Sequence, residues 1–100
     1  MVRSIDSKEA RMLVDMGKVL ILDVRTPYEN ADARIKNSIL IPLNELESRL
    51  GEIPKDRPIL VYCRSGSRSL YAANLLEKHG FRDVLNLKEG IINCPFECLD

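Results

Sequence analysis

Ile59-Leu60-Val61-Tyr62-Cys63-Arg64-Ser65-Gly66-Ser67-Arg68-Ser69 is the stretch on which the fold turns. Its first four residues are apolar without alternation, which is the pattern of a strand covered on both faces. The run follows Arg57-Pro58, stops at Cys63 and gives way to a polar turn. From Arg68 to His79 the residues Tyr71, Ala72, Leu75 and Leu76 share one helical face, and Gly80 stands where a C′ glycine ends a helix. A buried strand is therefore handed to a helix through a loop that starts with cysteine. In open α/β sheets that carboxyl edge of the strands is where ligands bind.

The rest of the chain repeats the alternation. Asp6-Ser7-Lys8-Glu9 is a capping signal, and Ala10, Leu13 and Val14 continue at helical spacing to Gly17, which predicts a helix from about Ser7 to Met16. Val19 to Asp23 reads as a second buried strand, broken by Thr26-Pro27. Ser38 to Ile41 is a shorter strand, and Asn44 to Leu50 a short helix with an Asn cap. Val84 to Leu87 is a last strand, with a turn over Lys88 to Ile92. Strands alternating with helices predict an α/β fold with a mostly parallel sheet and helices on both faces.

The chain has 100 residues, 45% of them hydrophobic, which is the size of one domain, here taken as 1–100. Fifteen Lys and Arg balance fifteen Asp and Glu, so no basic surface points to nucleic acid. Apolar runs such as Val19-Leu20-Ile21-Leu22 are too short for a membrane span. Charged residues near the start do not match a signal peptide, so a cytoplasmic, reducing location is the default expectation. The three cysteines Cys63, Cys94 and Cys98 are an odd number, which leaves at least one thiol free.

The residues after Cys63 bring two cations, hydroxyls and a glycine that lets the backbone turn through left-handed angles. Such a loop can turn its N–H groups inward as an anion nest ahead of a helix N-terminus. A thiol held there should lose its proton more readily than a free one and act as a nucleophile. The competing reading is a small buried hydrophobe at a strand end, which the two flanking arginines and the serines oppose.

The loop Cys63-Arg64-Ser65-Gly66-Ser67-Arg68-Ser69 after its apolar strand resembles the active-site loop of the rhodanese-like sulfurtransferases. Leu22-Asp23-Val24-Arg25-Thr26-Pro27-Tyr28-Glu29 resembles the family's Asp-Val-Arg…Glu signature, Ile39 to Leu43 its next strand, and Leu87 to Gly90 its closing glycine turn. The likeness runs from about Ile5 to Phe96. It implies a three-layer α/β/α fold around a sheet of about five strands, and Cys63 as the carrier of a sulfane sulfur taken from a donor such as thiosulfate. The acceptor would be cyanide or a thiol, thioredoxin among the thiol proteins, with neither metal nor organic cofactor. The resemblance also implies that Arg64 and Arg68, with loop N–H groups from Arg64 to Ser69, cradle the donor's anionic end. Asp23, Arg25 and Glu29 would brace the loop.

The chain departs from the family at Ala33-Arg34-Ile35-Lys36-Asn37-Ser38, where relatives often read Gly-His-Ile-Pro-Gly-Ala, and at Asn93-Cys94, where many carry Trp. A phosphatase or arsenate reductase of the related fold is the enzymatic rival. Those enzymes place arginine in a wider Cys-x5-Arg ring, whereas this chain has Cys-x4-Arg and puts Ser69 at the longer spacing. No general acid is evident beyond Asp23 and Asp32. The non-catalytic rival is a rhodanese-like binding module, which usually lacks the cysteine or the loop cations. Cys94 and Cys98 fit a resolving or accepting pair, or a disulfide of their own, as well as an ordinary tail, and a zinc site with His79 fits poorly in spacing. His79 itself belongs at a helix C-terminus, and Tyr62 in the sheet layer.

Overall fold

The apolar runs around Ile21-Leu22, from Ile59 to Tyr62 and from Val84 to Leu87 become strands whose residues lose water on both sides at once. In the computed structural model, which describes residues 2–92, the elements are β1 (Arg3–Ile5), α1 (Ser7–Asp15), β2 (Leu20–Asp23), α2 (Pro27–Asp32), β3 (Ile39–Leu40), α3 (Leu43–Leu46), a 3-10 turn (Glu47–Glu52), β4 (Ile59–Tyr62), α4 (Ser67–Lys78) and β5 (Val84–Leu87). The five strands form one sheet in the order β1-β5-β4-β2-β3, and every pairing is parallel. Cys94 and Cys98 lie outside the described residues.

The strand order fixes where the helices go. From β1 to β2 and on to β3 the chain moves one way across the sheet, and from β3 through β4 to β5 it moves back. Right-handed crossovers then put the first two helices on one face and the later ones on the other. The two cores follow this division. Ile21, Leu60, Tyr62, Leu85 and Leu87 pack with Ala10, Leu13 and Val14 of α1 and with Ile35, which follows α2. Leu22, Ile59, Val61, Cys63 and Val84 pack with Leu46, Ala72, Ala73 and Leu76 of α3 and α4. Burying an aliphatic side chain of this size stabilises by about 1.5–3 kcal/mol, so the continuous apolar run of β4 serves both layers. The direction in which the chain winds across the sheet reverses between β2 and β4, and the crevice at their carboxyl ends is the place where such a sheet binds ligands.

Several local readings need correction. Thr26-Pro27 does not simply break the chain. Thr26 caps α2 by accepting from the Glu29 N–H, Glu29 returns a carboxylate to the Thr26 N–H, and Pro27 fills the first helical position, where no N–H is needed. Asn44 is not a cap: α3 starts at Leu43 after Pro42 without a side-chain cap and passes into the 3-10 turn after Leu46. Tyr71 does not join the buried face of α4, where Ser69, Ala72, Ala73 and Leu76 are covered. β1 has two exposed residues in three and carries no hydrophobic period to be read. Asp6 does cap α1, accepting from the Glu9 N–H at 2.8 Å.

Candidate active site

β4 ends at Tyr62, so the next residue, Cys63, emerges at the reversal point of the sheet with its side chain directed toward α4. The loop then folds back over the sulfur. Gly66 sits at φ 100°, and a Cβ there would lie 2.2 Å from the Lys88 carbonyl oxygen, so only glycine fits between this loop and the turn after β5. Gly66 is also the N-cap of α4 and offers no capping side chain. The open N–H groups of that helix end go to sulfur: the Gly66 N–H donates to Cys63 Sγ at 3.1 Å and the Ser69 N–H at 3.3 Å.

Cys63 is fully buried. Burial alone would push the thiol up, but the hydrogen bonds from Ser69 and the backbone N–H groups of Gly66 and Ser65 outweigh it, leaving Cys63 below the usual thiol range. The turn after β5 holds the loop from behind, because Ile91 N–H donates to the Cys63 carbonyl at 3.1 Å and Ile92 N–H to the Arg64 carbonyl at 3.0 Å.

The two loop arginines occupy different surroundings. Arg68 makes a two-pronged ion pair with Glu29, both contacts at 2.9 Å, which ties the start of α4 to α2. Arg68 holds the Glu29 carboxyl down to about 2. Arg64 is exposed and has no ion-pair partner among the described residues. It lines a cleft of about 340 Å³ with Arg25, Tyr28, Asp32, Ile91 and Ile92. A second cleft, of about 450 Å³, is lined by Arg68 with Leu43 and Tyr71. An apolar cleft of about 480 Å³, lined by Val2, Leu13, Val19, Pro58 and Leu85, is at the amino edge of the sheet, away from Cys63.

Asp23 and Arg25 meet each other rather than the sulfur. The Arg25 guanidinium donates to both Asp23 carboxylate oxygens, at 2.9 and 2.8 Å, and Asp23 also accepts from Asn30 Nδ2 and the Tyr62 hydroxyl. The Tyr62 hydroxyl accepts from the Ile35 N–H at 3.1 Å and lies 3.0 Å from Ser38 Oγ. The irregular segment after α2, where the chain departs from the family pattern, is thus pinned to β4 by one hydroxyl. Reading Tyr62 as a packing residue missed this role. Asn86 was missed as well: it is the single polar residue of Val84-Leu85-Asn86-Leu87, and its side chain meets Ser69 Oγ. A buried amide in an otherwise apolar strand is the signal that could have singled it out.

A buried cysteine surrounded by N–H donors thus stands at the reversal point of a parallel α/β sheet. The rhodanese-like domain model matches residues 6–93, and the chain belongs to that family. It is 44% identical over 93 residues to a sulfurtransferase of Allochromatium vinosum, covering 92% of this chain and 87% of the relative. It is 31% identical to a thiosulfate sulfurtransferase of Coxiella burnetii, covering 90% and 84% of the two chains. Among solved structures, a rhodanese-related protein of Thermoplasma volcanium superposes with a TM-score of 0.88 at 29% identity, covering 97% of each chain. Several other relatives are longer, and the chain spans between 24% and 58% of their length.

Proposed function

We propose that this protein transfers sulfane sulfur through a persulfide on Cys63, taking it from a small anionic donor such as thiosulfate and passing it to a thiol or to cyanide. The observation that carries this reading is the buried Cys63 sulfur with two N–H donors within 3.3 Å. The Cys63 thiolate attacks the outer sulfur of thiosulfate, the S–S bond of the donor breaks, and sulfite leaves with the electron pair. The new terminal sulfur carries the charge, and the loop N–H groups stabilise it without rearrangement. An acceptor thiolate or cyanide then takes that sulfur and releases the Cys63 thiolate.

Arg64, exposed and without a carboxylate partner among the described residues, is the loop cation available to the donor. Arg68, neutralised by Glu29, has the lesser share. The acceptor enters over the cleft lined by Arg64, Tyr28 and Ile92. Thioredoxin, another thiol protein or a small thiol each suits that opening, and a free thiol at Cys63 suits the reducing cytoplasm. No described helix is long and apolar enough to cross a membrane.

Steady-state kinetics with thiosulfate and cyanide test the scheme. Parallel double-reciprocal lines for the wild type, with no thiocyanate formed by Cys63→Ser, are expected. Transfer that persists in a folded Cys63→Ser protein would overturn the assignment.

A further inference from the structure

Asn86 stands in the middle of β5 beside β4, opposite Val61 on one side and Ser4 on the other. It is only 3% exposed. A carboxamide at such a position costs more to desolvate than the leucine that would fit the strand, unless every polar atom is paired. Its pairing connects Cys63 to the surface. The Cys63 thiol donates to Ser69 Oγ at 3.4 Å, the Ser69 hydroxyl donates to Asn86 Oδ1 in preference to the more distant Gly66 carbonyl at 3.2 Å, and Asn86 Nδ2 donates to Ser4 Oγ at 3.2 Å. All three donors point away from the sulfur, toward exposed Ser4.

This direction suits a sulfur that holds a proton. When the thiol gives its proton to solvent, Ser69 Oγ loses its donor and its lone pair faces an anion. The Ser69 hydroxyl can turn its single proton to the sulfur, which leaves Asn86 Oδ1 buried and unpaired. A half-turn of the carboxamide repairs this: Nδ2 then donates to Ser69 Oγ, and Oδ1 accepts from the Ser4 hydroxyl, which is free to rotate. Asparagine is suited to the place because its two ends are nearly the same shape and opposite in hydrogen bonding.

We propose that Asn86 is a positioning residue for Cys63: through Ser69, it reverses a three-link hydrogen-bond chain as the sulfur gains charge, and so favours the anionic sulfur that reacts. The proposal rests on the reading of Cys63 as the reacting sulfur. It does not depend on which donor supplies the sulfur.

The test is the pH dependence of Cys63 alkylation by iodoacetamide, which needs no sulfur donor and therefore reads this proposal separately from the transfer reaction. Asn86→Asp, when ionised, presents only acceptors to Ser69 and has no donor to turn toward it. Its alkylation midpoint is expected about one pH unit above the wild type, a tenfold loss of thiolate on the acid side. In a Ser69→Ala background the same substitution is expected to raise the midpoint by less than half as much, because the link is already cut. An equal rise in both backgrounds would mean a through-space charge effect and would overturn the proposal. Asn86→Leu, uncharged and close in size, guards against a misfolded aspartate variant. Its midpoint is expected above the wild type with the thermal midpoint retained, and an unshifted alkylation midpoint would overturn the proposal.

Discussion

Gly90 and Gly17 share almost the same backbone conformation, φ 68° and 69°, in different surroundings. A Cβ on Gly17 would meet nothing within 4 Å, whereas a Cβ on Gly90 would lie 2.2 Å from the Arg64 carbonyl oxygen and 2.6 Å from the Ser65 nitrogen. Alanine at either site incurs roughly 1–2 kcal/mol for a left-handed L-residue. At Gly90 the turn after β5 must also back away from the Cys63 loop by more than an ångström to reach ordinary contact at 3.4 Å. Overpacking against backbone adds about 1–3 kcal/mol. For a domain of this size 1 kcal/mol moves the melting temperature by about 4–8 °C, so Gly17→Ala is expected to lower it by about 4–16 °C and Gly90→Ala by about 8–40 °C. Thermal unfolding followed by circular dichroism reads both. Because an ångström of misplacement can cost about a hundredfold in rate, kcat/KM for sulfur transfer should fall in Gly90→Ala and stay near wild type in Gly17→Ala. Equal losses of stability with transfer intact in both variants would refute the idea that this turn holds the loop in place.

Arg68→Ala leaves the Glu29 carboxylate uncompensated beside the loop. KM for thiosulfate is expected to rise about tenfold, and Glu29→Gln/Arg68→Ala to recover most of the loss; a double variant no better than Arg68→Ala would contradict the charge argument. The Glu29 carboxyl is held at about 2 against 4.5 for a free one, so the stability it contributes is present above pH 4.5 and is lost as pH falls toward 2. Allowing for its partial exposure, this amounts to about 1–2 kcal/mol, and the melting temperature of Glu29→Gln should depend less on pH in that window than that of the wild type. Tyr62→Phe removes the acceptor of the buried Ile35 N–H and a donor to Asp23, and is expected to cost about 1–3 kcal/mol in urea unfolding.

The strand, the cysteine loop and the long helix could be read from the sequence because each had a physical signature that survives without tertiary contacts: an unbroken apolar run, a cluster of cations and hydroxyls, a helical period with a glycine stop. α2 also carries one, the Thr26-Pro27-Tyr28-Glu29 capping box, but in sequence the proline that fills the first helical position reads equally as a breaker. The short β1 had none, since its pairing with β5 joins residues more than eighty positions apart and nothing local announces it. At the site, residue types were readable and partnerships were not. Two arginines in one loop look alike in sequence, yet a glutamate from another element occupies Arg68, while Arg64 has no such partner among the described residues. Tyr71 matched the helical period but lies 64% exposed, because α4 turns its small residues, Ala72 and Ala73, to the sheet. Asn86 acquires its meaning only when the fold brings Ser69 and Ser4 to either side of it.

The most direct test of the central claim is intact mass spectrometry of the wild type and Cys63→Ser after incubation with thiosulfate, followed by cyanide or a thiol. The account expects one added sulfur atom on the wild type, about 32 Da, lost on addition of the acceptor and absent from Cys63→Ser. A folded, reduced wild-type protein that gains no sulfur from thiosulfate, or a Cys63→Ser protein that gains it equally, would contradict the account.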